Sequence, residues 1–511
     1  MGKNSRTSPL GKQDSVWMAT TRKTDFPVLG QKHKFFDVVV VGGGITGITT
    51  AFLLKRAGKS VCIVEARRII TGTTGFTTAK LTSLHGQIYK HLASVFGKEK
   101  AKLYGQANEE GLALVGELIA KNKIDCDFVK SPAFTFCEDE VEIPELEKEY
   151  KVAKSLGLPA KFITKGLALP AIKAAVEFEN QAFFHPRKYL LKMASLFNSP
   201  NTPIFEKTRA LDISESPSGC LVKTDHGNIA ADYVVVATQA PFYDPAFYYA
   251  RQAPERSYVL ALETKNVDLN GMYYQSGESY NSFRPHITGK KKYIIVGGQA
   301  HKVGQGEDIL KRFGSLALYS KKNFSFDRIS YHWGAQDFYT GDRVPFIGKI
   351  SPKHKRVFVA TGFGGWGMTT GTVAGTIIRD LILKRKNKYI ELYDPNRVKA
   401  QALPLMIKEG VDTTKRYATS FLNHKKIVPS KLKKGQAEVG VYKKRKVAAF
   451  RDKSGKLVVL SATCTHLGCT VSWNNAEKSW DCPCHGSRFS ATGEVLNAPA
   501  ISKLEAVKAA S

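Results

Sequence analysis

A strand–turn–helix–strand unit near the N-terminus constrains this chain more than any other segment. Asp37-Val-Val-Val-Val-Gly42 is a short, continuous apolar run, the pattern of a parallel strand buried on both faces. It leads into Gly42-Gly-Gly44-Ile-Thr-Gly47, then a helix over 48–57 that stops at Gly58, then a second strand, Ser60-Val-Cys-Ile-Val-Glu65. A lone G-x-G-x-x-G carries little information. Here strand, helix, strand and acid follow in order over about thirty residues, which is the full dinucleotide-binding context. Gly42 is expected to make the tight turn, Gly44 to admit the pyrophosphate and Gly47 to bring helix and strand together. The helix N-terminus supplies amide donors to phosphate, and Glu65 accepts the ribose hydroxyls.

The same glycine spacing returns at Gly362-Phe-Gly364-Gly-Trp-Gly367, between a strand over 356–361 and a helix over 368–383. No second apolar strand ending in Asp or Glu follows; the chain turns to Lys-Arg-Lys-Asn-Lys instead. The second match therefore fails as an independent dinucleotide fold and reads as a flavin-contacting turn, its helix N-terminus facing the electron-rich end of the ring.

The tail carries a different chemistry. Cys464-Thr-His466-Leu-Gly-Cys469 and Cys482-Pro-Cys484-His485-Gly-Ser487 are two half-sites, Cys-x-His and Cys-x-x-His, with residues 467–481 between them. Two thiolates and two imidazoles can hold zinc tetrahedrally. They also match a Rieske [2Fe–2S] centre, in which Cys464 and Cys482 would bind one iron and His466 and His485 the other. Neutral imidazoles in place of two thiolates make such a cluster easier to reduce, with potentials of about −150 to +300 mV.

These segments resemble two known families. The front block resembles FAD-dependent amine and amino-acid oxidoreductases of the glycine-oxidase (DAO) type over roughly residues 36–395. The resemblance is carried by the fingerprint, the small-residue loop Thr71-Gly-Thr-Thr-Gly75-Phe-Thr-Thr-Ala79, the strand Ala231-Asp-Tyr-Val-Val-Val-Ala237, the segment Asp342-Arg-Val-Pro345-Phe-Ile-Gly348 and the late glycine-rich turn. It implies FAD as cofactor, held by Gly42, Gly44, Gly47, Glu65, Thr73, Thr74, Gly362, Gly364 and Gly367. The tail resembles the respiratory-type Rieske domain. That resemblance implies a Cys469–Cys484 disulfide clamping the cluster loops, a shielding loop at Asn497-Ala-Pro499-Ala, and a hydrogen bond from Ser487 to a cluster sulfur. Respiratory proteins have a tyrosine two residues further on; here it is Phe489, so a lower potential is expected. His466 and His485 are expected to be partly exposed at the domain tip.

The resulting expectation is an α/β chain. Residues 1–34 form a basic arm and 35–390 a Rossmann-type FAD oxidoreductase, with a mixed α+β substrate lobe at about 86–165 and 250–330. A helical linker spans 391–424, and an all-β Rieske domain spans 425–511. Arg284 is the candidate carboxylate clamp, because arginine pairs carboxylates through two parallel hydrogen bonds. Tyr274, His286, His332 and Trp366 are candidates to line the substrate site. No catalytic acid or base is assigned, since a neutral amine can give up hydride directly.

Composition limits the partners. The 511-residue chain carries a formal net charge of +31, with 43% hydrophobic and 10% aromatic residues. Residues 421–460 hold twelve Lys or Arg against two acids. No nucleic-acid motif accompanies the charge, so the expected partners are a small-molecule substrate and an acidic electron-transfer protein or other one-electron acceptor. The most apolar stretch, residues 357–383, contains six glycines, Arg379 and Asp380, and predicts no membrane span. The polar, basic start predicts no secretory signal and a cytoplasmic protein. Three function classes fit: a two-cofactor oxidoreductase acting on a small amine or amino acid, an electron-transfer module docking a redox protein, and a cluster-based redox sensor.

Overall fold

The computed structural model describes residues 10–30, 34–277, 280–306, 308–397, 407, 410–416 and 425–508. Its first sheet is built on the N-terminal fingerprint. Strands Ile204–Phe205, Val61–Val64, Lys34–Val41 and Gly227–Gln239 run parallel in that spatial order, and Val357–Thr361 adds parallel to Gly227–Gln239. Antiparallel strands complete it: Gly219–Thr224 and Ala210–Ser216 on one side, and Phe346–Lys349 beside Val357–Thr361. Val38, Val39 and Val40 are fully buried, as a strand covered on both faces requires.

Helix Ile45–Arg56 packs against helix Gly367–Ile382. The contact is close because Gly371 and Gly375 face Thr46 and Thr49, where an added Cβ would come within 2.8 and 2.9 Å of their side chains. The second glycine-rich turn is thereby brought beside the first.

A nine-stranded mixed sheet forms the second lobe, in the order Lys12–Gln13, Arg328–Thr340, Gln252–Thr264, Lys291–Lys302, Asn281–Thr288, Met272–Gln275, Ala133–Cys137, Ala174–Phe178 and Ala160–Ile163. Helices Lys98–Lys121, Ile143–Ser155 and Ile309–Asn323 accompany it. The lobe thus draws on strands outside the ranges expected from sequence, since Arg328–Thr340 and Ala174–Phe178 also belong to it.

Residues 10–30 are not a free arm. Lys12–Gln13 joins the sheet edge, and Val16 and Trp17 are fully buried. The indole of Trp17 donates to the Thr77 carbonyl at 2.7 Å. Two large apolar side chains overrode the basic composition of this segment. Most of the expected linker lies outside the described residues.

The strands of the tail pair antiparallel. Strands Ala437–Tyr442, Arg445–Arg451 and Leu457–Ser461 form one sheet, and Ser472–Asn474, Ser479–Asp481, Arg488–Ser490 and Val495–Asn497 another. Among the described residues no helix is long and apolar enough to cross a membrane.

Candidate functional site

A cleft opens above the carboxyl ends of the parallel strands. Gly42 to Thr46, Glu65, Thr73 and Thr74 line it. Gly42 has φ +113° and sits so near the Ala237 carbonyl that a Cβ would lie 2.5 Å from its oxygen. At Gly47 a Cβ would meet the Gly42 carbonyl oxygen at 1.9 Å. Both positions therefore demand glycine, and the exposed backbone forms a cradle. The Glu65 carboxylate accepts from Gly43 N and Arg67 N, both at 2.9 Å, and is held facing the cleft. Thr74 Oγ1 accepts from Ile45 N at the helix start. This bare-backbone cradle, helix N-terminus and fixed acid fit a dinucleotide. From the second glycine-rich turn, Gly365 and Gly367 also line the cleft. Gly362 and Gly364 shape that turn at φ +78° and +56°.

A second cavity adjoins the first, and Thr73, Thr77, Asp337 and Gly365 border both. Its walls are aromatic. Tyr274 stacks on Tyr280 with centroids 4.8 Å apart and meets Trp366 at 5.1 Å. Tyr339, Glu255 and Lys80 complete the lining that matters chemically. The structure brings Tyr274 and Trp366 together here, but not Arg284, His286 or His332. Arg284 is fully buried, and its guanidinium donates to the carbonyls of Thr78, Pro285 and Phe184. It does not line the cavity and three of its donors are held by backbone, so the expected clamp role is corrected. His332 Nδ1 is paired with the Leu10 carbonyl at 2.9 Å, outside the cavity. His286 is fully buried beside Trp17.

The cluster pocket lies in the tail domain. Cys464 and Cys482 are buried free thiols sharing a hydrogen bond. The rings of His466 and His485 cross at 5.1 Å, and burial lowers their pKa values to about 4 and about 3. Neutral imidazoles are the form that ligates iron. His466 Nδ1 is buried without a hydrogen-bond partner, the mark of an atom aimed at a missing ligand. Cys469 and Cys484 are joined by a disulfide, with Cα atoms 6.6 Å apart, which removes them from the set of possible ligands. Two thiols plus two neutral imidazoles fit a Rieske cluster. Gly468 and Gly486 turn the two loops at φ +83° and +77°.

Of the two histidines, only His485 is less open than expected. His485 is buried, and His466 only half-buried, because Tyr249 from the front domain meets them at 4.8 and 5.4 Å. Nothing in the sequence around Tyr249 signals this.

The two domains interlock. Residues 495–498, Ala500 and Ile501 of the tail line the dinucleotide cleft. Gln336 Nε2 donates to the Gly486 carbonyl, and Ser472 Oγ to the Gly304 carbonyl. Arg256 pairs with Glu477, which lies 3.2 Å from Arg488.

Comparison with known proteins agrees with this arrangement. The profile of the FAD dependent oxidoreductase (DAO) family matches residues 37–381, and that of the Rieske [2Fe-2S] domain matches residues 424–508. The chain belongs to the FAD dependent oxidoreductase family. It is 34% identical to the Bacillus subtilis Rieske 2Fe-2S iron-sulfur protein YhfW over 497 residues, covering 97% of each chain. It is 24% identical to the Escherichia coli gamma-glutamylputrescine oxidoreductase, covering 68% of this chain and 83% of that one. Glycine oxidase from Geobacillus kaustophilus shares the fold, with a TM-score of 0.59 and 19% identity over 71% of this chain and 99% of that one. The protein is an FAD-dependent oxidoreductase of this family carrying a C-terminal Rieske [2Fe–2S] domain.

Proposed function

We propose that the protein oxidises a small amine or amino-acid-type substrate in the aromatic cavity and delivers the electrons, through its own cluster domain, to an external one-electron acceptor. When bound, FAD supplies two-electron hydride chemistry and the cluster supplies single-electron chemistry. The cradle of Gly42, Gly44 and Glu65 would hold FAD, and Cys464, His466, Cys482 and His485 the cluster. One observation carries the reading: residues 495–501 border the dinucleotide cleft on one side, while Ala500 N donates to Ser487 Oγ beside the cluster ligands on the other. A single loop separates the two cofactor sites.

The acceptor's chemistry follows from charge and surface. Phe247, two residues before Tyr249, and Leu467, next to His466, are exposed in a chain of net charge +31. An electron-transfer protein with an acidic rim around an apolar centre matches that surface.

The test is anaerobic mixing of the holoprotein with a panel of amines and amino acids. The expected result is loss of oxidised-flavin absorbance followed by the EPR signal of a reduced Rieske cluster. Flavin reduction only by a reduced carrier protein would instead establish an electron-transfer module. Cluster-dependent partner binding without turnover would establish a sensor.

A further inference from the structure

Lys80 follows directly on the loop 71–79, in the short strand Lys80–Leu81 that pairs with Ala182–Phe183. Its side chain is 8% exposed and lines the aromatic cavity. Among the described residues no hydrogen bond or ion pair engages its ammonium. Burial, with the nearby Arg284 charge, lowers its pKa to about 7. A cation enclosed this way without a counter-ion is costly, and an incoming anion offsets the cost. Arg284 does not take that role, because it is fully buried, lies outside the cavity lining and donates to three backbone carbonyls. The opposite requirement is met by the rings: Tyr274, Tyr280 and Trp366 line the same cavity, and aromatic rings attract cationic groups.

We infer that Lys80 is the anion-binding residue of the aromatic cavity, meeting the negatively charged group of a small ligand whose amine-bearing part lies against Tyr274, Tyr280 and Trp366. This rests on reading that cavity as the substrate site. A lysine is a compact point charge, without the planar fork by which arginine selects carboxylates. The cavity therefore selects for negative charge and not for carboxylate shape, so carboxylates and sulfonates are both ligands.

The test uses the oxidised holoprotein and three inert probes: benzoate, benzenesulfonate and the neutral benzamide. Binding is read by calorimetry and by the shift of the flavin visible band. Both anions are expected to bind the wild type within about tenfold of each other and more tightly than benzamide. Lys80→Met keeps the stem and drops the charge. It should weaken both anions about 100-fold, as for removal of one partner of a buried charge pair, and leave benzamide unchanged. Lys80→Gln, read the same way, guards against a fold defect in the methionine variant. Equal anion affinity in wild type and variants overturns the assignment, as does failure of either anion to bind the wild type. Photoreduction of the flavin, followed by EPR of the cluster, tests electron passage without any ligand, so the two proposals fail separately.

Discussion

Gln336 Nε2 donates to the main-chain carbonyl of Gly486 at 2.8 Å, across the boundary between the two domains. Gly486 follows the ligand histidine His485. The carbonyl of Gln336 in turn accepts from Thr73 Oγ1 at 2.8 Å, on the loop shared by both front-domain cavities. One buried residue, through its side chain on one side and its main chain on the other, thus links the cluster loop to the flavin loop.

Gln336→Leu fills similar space and removes the donor. It leaves the Gly486 carbonyl unpaired, at a cost of about 1–3 kcal/mol to domain docking. Electron transfer from flash-reduced flavin to the cluster should slow, with FAD content and cluster EPR lineshape retained. An unchanged transfer rate would sink the idea that this contact couples the two sites.

The second clamp is ionic. Arg256 on strand Gln252–Thr264 reaches Glu477 in the turn between two tail strands, and Arg488 bonds Asp481 at 2.9 Å on the same network. Burial pushes the Glu477 pKa up, but the two guanidiniums outweigh it and hold it at about 2. Because the folded pKa is depressed, the stabilisation is fully present above the ordinary glutamate value of about 4.3 and disappears as pH falls toward 2. Arg256→Met leaves Glu477 short of one partner and should cost about 3–5 kcal/mol. Denaturant unfolding at pH 7 measures the loss. Stability equal to wild type at pH 7 would show that the pair does not hold the domains.

How far the sequence reached depends on whether a feature is local. The fingerprint, the failed second dinucleotide unit and the paired half-sites are each fixed by neighbours in the chain, and the folded geometry follows them. Arg284 was misread because residue type says nothing about which donors the backbone will claim. Trp17 was hidden in a basic segment, where composition masks a two-residue apolar plug. Lys80, Asp337, Gln336 and Tyr249 were missed for one reason: their roles arise only when distant strands or the two domains meet. Lys80 alone carried a trace, a charged residue between the small-residue loop and the apolar Leu81.

Ser487 sets the next expectation. Its hydroxyl hydrogen-bonds the Cys464 sulfur and accepts from Ala500 N at 3.0 Å, which fixes its direction. Phe489 is fully buried and has no hydroxyl to add a second such bond. Ser487→Ala should therefore lower the cluster potential by roughly 60 mV, the equivalent of about 1.4 kcal/mol for a one-electron couple. Redox titration followed by EPR reads the shift. A potential within about 10 mV of wild type would mean the hydroxyl does not favour the reduced state.

Asp337 gives the pH dependence. It is half-buried where the two cavities meet, and its carboxylate accepts from Gly365 N at 2.6 Å and Phe338 N at 2.8 Å. Burial outweighs these bonds and pushes its pKa up to about 6. Below that pH the side chain is neutral; above it, a negative charge stands at the edge of the flavin cleft. A negative charge there opposes addition of electrons, so the flavin potential should fall more steeply with pH just above about 6, until the carboxylate's higher pKa in the reduced protein is passed, than below it. Asp337→Asn should remove the break and leave the potential higher at pH 8, by roughly 30 mV for each 1.4 kcal/mol of charge interaction in a two-electron couple. Spectroelectrochemistry between pH 5 and 8 measures both slopes. An inflection that survives in the asparagine variant would assign the titration to another group.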